Sequence, residues 1–168
     1  MVRTRFSGAG DVVVSVECGR VSLSVTESPA IEMTLAPNIS RLRAAADAAR
    51  ANAWCPYSHY PVGAALETPD GQVFAGCNVE NASYPAGTCA ERVALGTAIA
   101  AGARRFTRVV ITSAADQPTP PCGICRQALV EFAPDLEVIA ISPQGQTARW
   151  SLAELLPAPF TPASLENA

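Results

Sequence analysis

Cys89-Ala90-Glu91-Arg92 places a thiol two residues before a carboxylate, and Pro121-Cys122-Gly123-Ile124-Cys125 supplies two more thiols three residues apart. Each group stands where a helix is expected to begin. A C-x-x-C pair at a helix start can turn both sulfurs onto one metal ion. Helix N-termini offer free N–H groups and partial positive charge, which lower thiol pKa and favour thiolates. Three thiolates with a fourth position left open are the donor set of a catalytic zinc site, whereas a structural site is closed by four protein ligands. Water in the open position would have its pKa lowered to about 7. Glu91 is too close to Cys89 in sequence to be a comfortable ligand of the same ion, and is placed instead to take a proton from that water. Three thiolates outweigh the charge of zinc. Arg92 and Arg126 directly follow the two motifs, and Arg92 is the expected counter-charge.

A lone C-x-x-C is weak, because it can be redox-active or merely local, and a lone Cys-Ala-Glu is weaker. Their conjunction on two helix starts, with a strand between, is far more specific. Closure of the site by Cys77, Cys55 or the single histidine, His59, would make it structural. Successive strand residues point to opposite faces, so if Asn78 and Glu80 face the site, Cys77 faces away. Cys18, Cys55 and Cys77 are expected to be plain thiols, and His59 an ordinary surface or structural hydrogen-bonding residue.

The elements that would carry these groups read as follows. Asn38 can cap a helix over residues 39–53, with Ile39, Leu42, Ala45, Ala46 and Ala49 on one face and Pro56 ending it. Strands over 62–67 and 72–79 are joined by the turn signal Thr68-Pro69-Asp70-Gly71. A helix over 89–101 stops at Gly102. A buried strand covers 108–113, a helix 122–132 stops before Pro134, and a second buried strand covers 136–141. A short strand over 148–151 precedes a short helix to Leu156. Strands alternating with helices imply an α/β sheet covered on both faces. Residues 1–37 differ: Val12, Val14 and Val16, then Val21, Leu23 and Val25, alternate around Cys18-Gly19-Arg20 in the manner of a hairpin. This N-terminal extension over 1–37 reads either as a hairpin or as a disordered or non-native start; it is expected to be dispensable up to residue 32, with Met33 a plausible internal start, leaving 38–168 as the catalytic domain.

The chain has 168 residues, enough for one domain with a real core, and a net charge of −3 without any basic run. A nucleic-acid partner is therefore not expected, and a small ligand is the default. Six cysteines are an even count. However, residues 1–25 lack the apolar run of a secretory signal, and no apolar stretch is long enough to span a membrane. A reducing cytoplasm is the expected compartment.

The arrangement resembles the H-x-E…P-C-x-x-C signature of zinc deaminases, with Cys89 in place of the histidine. In that form it resembles the cytidine deaminases that act on free nucleosides. The resemblance spans about residues 40–162. It runs through the Pro56–Ala65 and Gly76–Asn81 stretches, the Cys89 motif, Pro121-Cys122-Gly123-Ile124-Cys125-Arg126-Gln127, and Leu155-Leu156-Pro157 with Phe160. It implies a three-layer α/β/α fold with a five-stranded mixed sheet. It further implies one Zn2+ per subunit on Cys89, Cys122 and Cys125, with Glu91 as the proton shuttle. Asn78 and Glu80 match the pair that binds the ribose hydroxyl, and Ala90 is a further substrate contact. Tyr60 stands where the family usually has Phe stacking near the base; the ring is kept and a hydroxyl is added. Phe160 matches an aromatic that reaches a neighbouring subunit's site in the short, tetrameric members. For Tyr60 or Phe160 alone, core packing is the plainer account. The implied reaction is hydrolytic deamination of cytidine and 2′-deoxycytidine to uridine and 2′-deoxyuridine in pyrimidine salvage, by a homotetramer with shared active sites. Blasticidin S deaminase shares the zinc motifs but lacks the Asn-x-Glu pair. Free-nucleotide and polynucleotide deaminases typically carry His at the first ligand position.

Overall fold

The structure is a computed structural model that describes residues 12–17, 20–25 and 37–165. The chain divides into two compact units, residues 1–34 and 35–168. In the first, strands Val12–Glu17 (β1) and Arg20–Val25 (β2) pair antiparallel, Val12 opposite Val25 and Glu17 opposite Arg20. Cys18 and Gly19, between them, lie outside the described residues, as does Met33.

The second unit is built on strands Val62–Glu67 (β3), Val73–Cys77 (β4), Arg108–Ser113 (β5), Glu137–Ile141 (β6) and Thr147–Ser151 (β7). They form one sheet in the order β4-β3-β5-β6-β7, and only the β5–β6 pair is parallel. The sheet is thus five-stranded and mixed, as expected. Its helices are Pro37–Arg50 (α1), Ala90–Ala100 (α2), Gly123–Val130 (α3) and Leu152–Leu155 (α4). Alternation along the strands builds two cores. Ala65, Val110, Ile139 and Ile141 pack with Ile39, Leu42 and Ala46 of α1. Ala64, Leu66, Val109, Ile111 and Val138 pack with Ala90, Ala94 and Ala98 of α2 and Leu129 of α3. The period-two pattern of the strands therefore gives three layers, with α1 on one face and α2 and α3 on the other.

Two glycines set how close those layers come. A Cβ on Gly63 would lie 1.9 Å from the Ala46 carbonyl oxygen of α1, and one on Gly76 would lie 2.4 Å from the Ala94 nitrogen of α2. Both helices rest directly on strand backbone at these points. At one end of the sheet, Arg108 donates to Glu67 at 2.8 Å and to Glu137 at 2.7 Å, tying together neighbours on β3, β5 and β6.

The ends of α1 depart from the sequence expectation. The helix already includes Pro37, a residue suited to a first helical turn, and the Asn38 side chain accepts from the next residue, Ile39 N–H, at 2.9 Å. The helix also stops at Arg50, well before Pro56. The chain tightens there through Asn52 N–H to Ala49 O and Ala53 N–H to Arg50 O, both 3.0 Å, so that Trp54 can pair with Asn78 and Glu80. Tertiary pairing, not proline, ends this helix. The second strand is shorter than expected, ending at Cys77 with an isolated bridge at Val79. Among the described residues, no helix is long and apolar enough to cross a membrane.

Candidate active site

Beyond β4 the chain Asn78-Val79-Glu80 is hydrogen-bonded on both sides. Trp54 N–H donates to Asn78 O at 3.0 Å and Glu80 N–H to Trp54 O at 2.7 Å, while Val79 and Thr88 exchange both main-chain bonds at 2.9 Å. Thr88 is thereby fixed beside the strand extension, and Cys89 follows as the N-cap of α2, in extended backbone conformation. Cys122 is likewise the N-cap of α3, and Cys125 sits in that helix's first turn, buried. Both sequence motifs thus open helices, with the first sulfur of each just outside the helical turn.

The sulfurs of Cys89, Cys122 and Cys125 all lie within 4.8 Å of one another, and those of Cys89 and Cys122 are 3.8 Å apart. Two sulfurs at about 2.3 Å from a tetrahedral zinc are themselves about 3.8 Å apart, so the donor set fits Zn2+ in both chemistry and spacing. Cys55 and Cys77 are free thiols outside this cluster, and His59 is exposed in a turn closed by its N–H to Cys55 O.

The cluster polarises its own members. The Cys89 thiol is lowered to about 5, first by the hydrogen bond from Cys125, then by those of Cys122 and Arg92. The same shared proton pushes Cys125 up, with burial adding to it. Glu91 is 4% exposed, and burial raises its carboxyl above the usual carboxylate range. Arg92 donates to Gly87 O at 3.1 Å, while its buried Nε has no hydrogen-bond partner among the described residues. Arg126 spends its guanidinium elsewhere, on Pro121 O and Leu155 O, both at 2.8 Å.

A cavity of about 390 Å³, within the range of small-molecule sites, is walled by Cys89, Ala90, Glu91 and Cys122 together with Tyr60, Asn78 and Glu80. Of the residues singled out in the sequence, Cys125 and Arg92 lie beside this wall, and Phe160 does not line it. Phe160 is 59% exposed, and its main chain is bracketed by Gln127, whose Nε2 donates to Phe160 O at 2.6 Å and whose Oε1 accepts its N–H at 3.1 Å. The Asn78 amide oxygen accepts Val62 N–H at 2.8 Å and its nitrogen donates to Tyr60 O at 2.9 Å. Each of these atoms keeps one further hydrogen-bonding position. Glu80 Oε2 accepts the N–H groups of Tyr57 at 2.9 Å and Ser58 at 3.2 Å. Hydrogen bonding from the Ser58 side chain, then from these amides, holds Glu80 below its ordinary pKa. Sequence reasoning missed Ser113 and Thr119, which also line the cavity. Neither stands in a motif, and Thr119 meets Tyr60 across 59 positions of sequence.

The same chain segment matches known proteins. Residues 38–141 match the family model described as the cytidine and deoxycytidylate deaminase zinc-binding region. A cytidine deaminase of Sporosarcina psychrophila is 37% identical over 132 residues, covering 78% of this chain and 97% of the relative. One from Halalkalibacterium halodurans is 42% identical over 120 residues, covering 71% and 91%. Among solved structures, a cytidine deaminase of Burkholderia pseudomallei superposes with a TM-score of 0.70 at 48% identity, covering 72% of this chain and 98% of that one. With the matched span running through both cysteine motifs and nearly the whole of each relative, this chain belongs to the cytidine deaminase family.

Proposed function

We propose that this pocket removes the 4-amino group of cytidine and 2′-deoxycytidine by hydrolysis, giving the uridine nucleoside and ammonia. The observation that carries the reading is the three-sulfur cluster with the buried Glu91 carboxyl beside it, in one cavity with Asn78 and Glu80. Cys89, Cys122 and Cys125 would hold Zn2+, which would supply Lewis-acid activation of the attacking water. Glu91 carries the protons. It accepts one proton from the water that attacks C4 and gives it to N3, which makes C4 more electrophilic; it then takes the remaining proton from the new C4 hydroxyl and delivers it to the departing amine. The water oxygen stays on C4 and ammonia leaves.

The other residues bind and orient. Asn78 and Glu80 hold a sugar hydroxyl with the positions their main-chain bonds leave open. Tyr60 and Ala90 wall the base. Arg92 offsets the negative charge of the thiolates from beside Cys89. Phe160 reaches a neighbouring copy's pocket in a homotetramer, which is consistent with its exposure and its absence from the lining of its own. The thiolates require a reducing compartment, which favours the cytoplasm. Residues 1–32 are dispensable to this chemistry.

The test is zinc-loaded protein with cytidine, 2′-deoxycytidine, cytosine, CMP and blasticidin S, followed by the ultraviolet change of deamination, beside Glu91→Gln. Positioned proton transfer contributes about 10²–10⁴-fold, and Glu91 serves several steps, so the variant is expected to lose at least the upper part of that range. Retention of a tenth of normal turnover would remove Glu91 from the role. Turnover of blasticidin S alone would move the chain to the antibiotic branch.

A further inference from the structure

The segment between β5 and α3, residues 114–121, supplies Thr119 and Pro120 to the pocket wall and runs directly into Cys122. Its residues take part in no main-chain to main-chain hydrogen bond among the described residues. A segment of this kind opens readily unless side chains hold it. Three do. Arg50 donates to Ser113 O at 2.6 Å at its beginning, and Arg126 donates to Pro121 O at 2.8 Å at its end. Between them stands the Tyr60 hydroxyl, 3.1 Å from Ser113 Oγ and 3.2 Å from Thr119 Oγ1. The other bonds are weaker: Gln144 to Asp116 at 3.4 Å is exposed and long, and Thr119 Oγ1 to Gln117 O at 3.2 Å stays within the segment; with the Tyr60 proton on Ser113, Thr119 shares its own between Gln117 O and the Tyr60 hydroxyl.

Tyr60 is itself firmly mounted. Its N–H donates to Ser58 Oγ at 3.1 Å, and its carbonyl accepts from Asn78 Nδ2 at 2.9 Å. Counting protons shows what the hydroxyl does for Ser113. Ser113 Oγ accepts from Tyr60 and from Ala115 N–H at 3.3 Å, which fills both of its acceptor positions. Its own proton has no acceptor among the described residues, although Ser113 is 4% exposed and lines the cavity.

We propose that the Tyr60 hydroxyl is a positioning group: it pins residues 114–121 against the end of β5 and sets the Ser113 hydroxyl as a donor to an acceptor oxygen or nitrogen of the bound pyrimidine nucleoside. The proposal rests on the reading that this pocket holds the nucleoside. Tyr60→Phe keeps the ring and deletes only the latch.

The experiment measures steady-state kinetics with cytidine, amide hydrogen exchange over residues 114–119, and Tm, in the zinc-loaded parent, Tyr60→Phe, Ser113→Ala, their double variant and Thr119→Val. One neutral hydrogen bond corresponds to roughly a threefold to tenfold effect. Tyr60→Phe is expected to raise KM by about that factor, with kcat falling by less, because the lost contact is made before and during the chemical step alike. Exchange in the segment is expected to quicken. Adding Ser113→Ala to Tyr60→Phe should cost less than Ser113→Ala alone, the sign of a shared interaction. Thr119→Val, at an exposed position with little bearing on folding, should reproduce the exchange and KM changes. A lower Tm with KM and exchange unmoved in both Tyr60→Phe and Thr119→Val would overturn the proposal, as would strictly additive effects of the pair. If Glu91→Gln still turns over cytidine, the pocket reading itself has failed. If Glu91→Gln is dead while Tyr60→Phe behaves as the parent, only the latch has.

Discussion

At Asn78 one amide group is bound to the Val62 N–H and the Tyr60 carbonyl while facing the cavity. From sequence, truncating it would be expected mainly to weaken nucleoside binding. The structure adds a second cost, because Asn78→Ala leaves the Val62 N–H and the Tyr60 carbonyl without their partner. Such losses run about 1–3 kcal/mol for a half-buried site. Asn78→Ala is therefore expected to lower Tm as well as raise KM for cytidine, and to spare turnover of free cytosine, which has no sugar, relative to cytidine. Equal loss on both substrates, in protein of unaltered Tm, would contradict both halves of this account. The three-cysteine cluster suited to zinc was legible in sequence because its grouping is local: Cys122 and Cys125 lie at the start of one helix, and Cys89 opens another. The bonds of Asn78 were not, because they run to residues 16 and 18 positions away and exist only once β4 lies against β3.

The elements α2 and β4 meet where Gly76 lies under Ala94, with no room for a methyl group. Gly76→Ala must lift the helix or bend the strand, and overpacking of this kind costs about 1–3 kcal/mol. Cys89 caps that same helix, and Asn78 and Glu80 extend that same strand. The expected outcome is a loss of zinc affinity along with stability, measured by chelator competition and thermal melting. Gly96, on the exposed side of α2 with open space around it, is the control: Gly96→Ala should leave zinc affinity alone. Periodicity was enough to find each α-helix and β-strand, though not the 3-10 turns Tyr84–Ala86 and Pro162–Ser164, and turn chemistry was enough to bring most boundaries to within a residue or two. It failed at α1, where the need to pair Trp54 with the Asn78–Glu80 segment stops the helix ahead of any proline. Helix propensity has no knowledge of a partner arriving from elsewhere in the chain.

At the scale of the molecule, large apolar side chains remain in water: Trp54 is 61% exposed, Tyr84 77%, Ile124 65% and Phe160 59%. Exposed apolar groups of this size commonly mark sites of association. A homotetramer is expected by sedimentation, with Phe160→Ala raising KM in an otherwise intact assembly. A fully active monomer would refute the shared-site proposal. A chain beginning at Met33 is expected to keep both the assembly and the activity, since the matched family region starts at residue 38. Loss of folding in that chain would show that residues 1–32 belong to the domain. The three-layer plan was readable from alternating strands and helices. Which surfaces stay uncovered was not, because exposure is a property of the packed whole.

The double-sided bonding of Asn78-Val79-Glu80 makes the nucleoside site and the metal site neighbours along one short piece of backbone: Val79 is locked to Thr88, and Cys89 comes next. Whatever steadies the segment steadies the first sulfur. Occupancy at the two places should then be reciprocal, each ligand raising the other's affinity by the same factor. Saturating uridine, the product, is expected to slow the stripping of zinc by a chelator, and removal of zinc to weaken uridine binding in equal measure. The cell's nucleoside pool would in this way help the enzyme keep its metal.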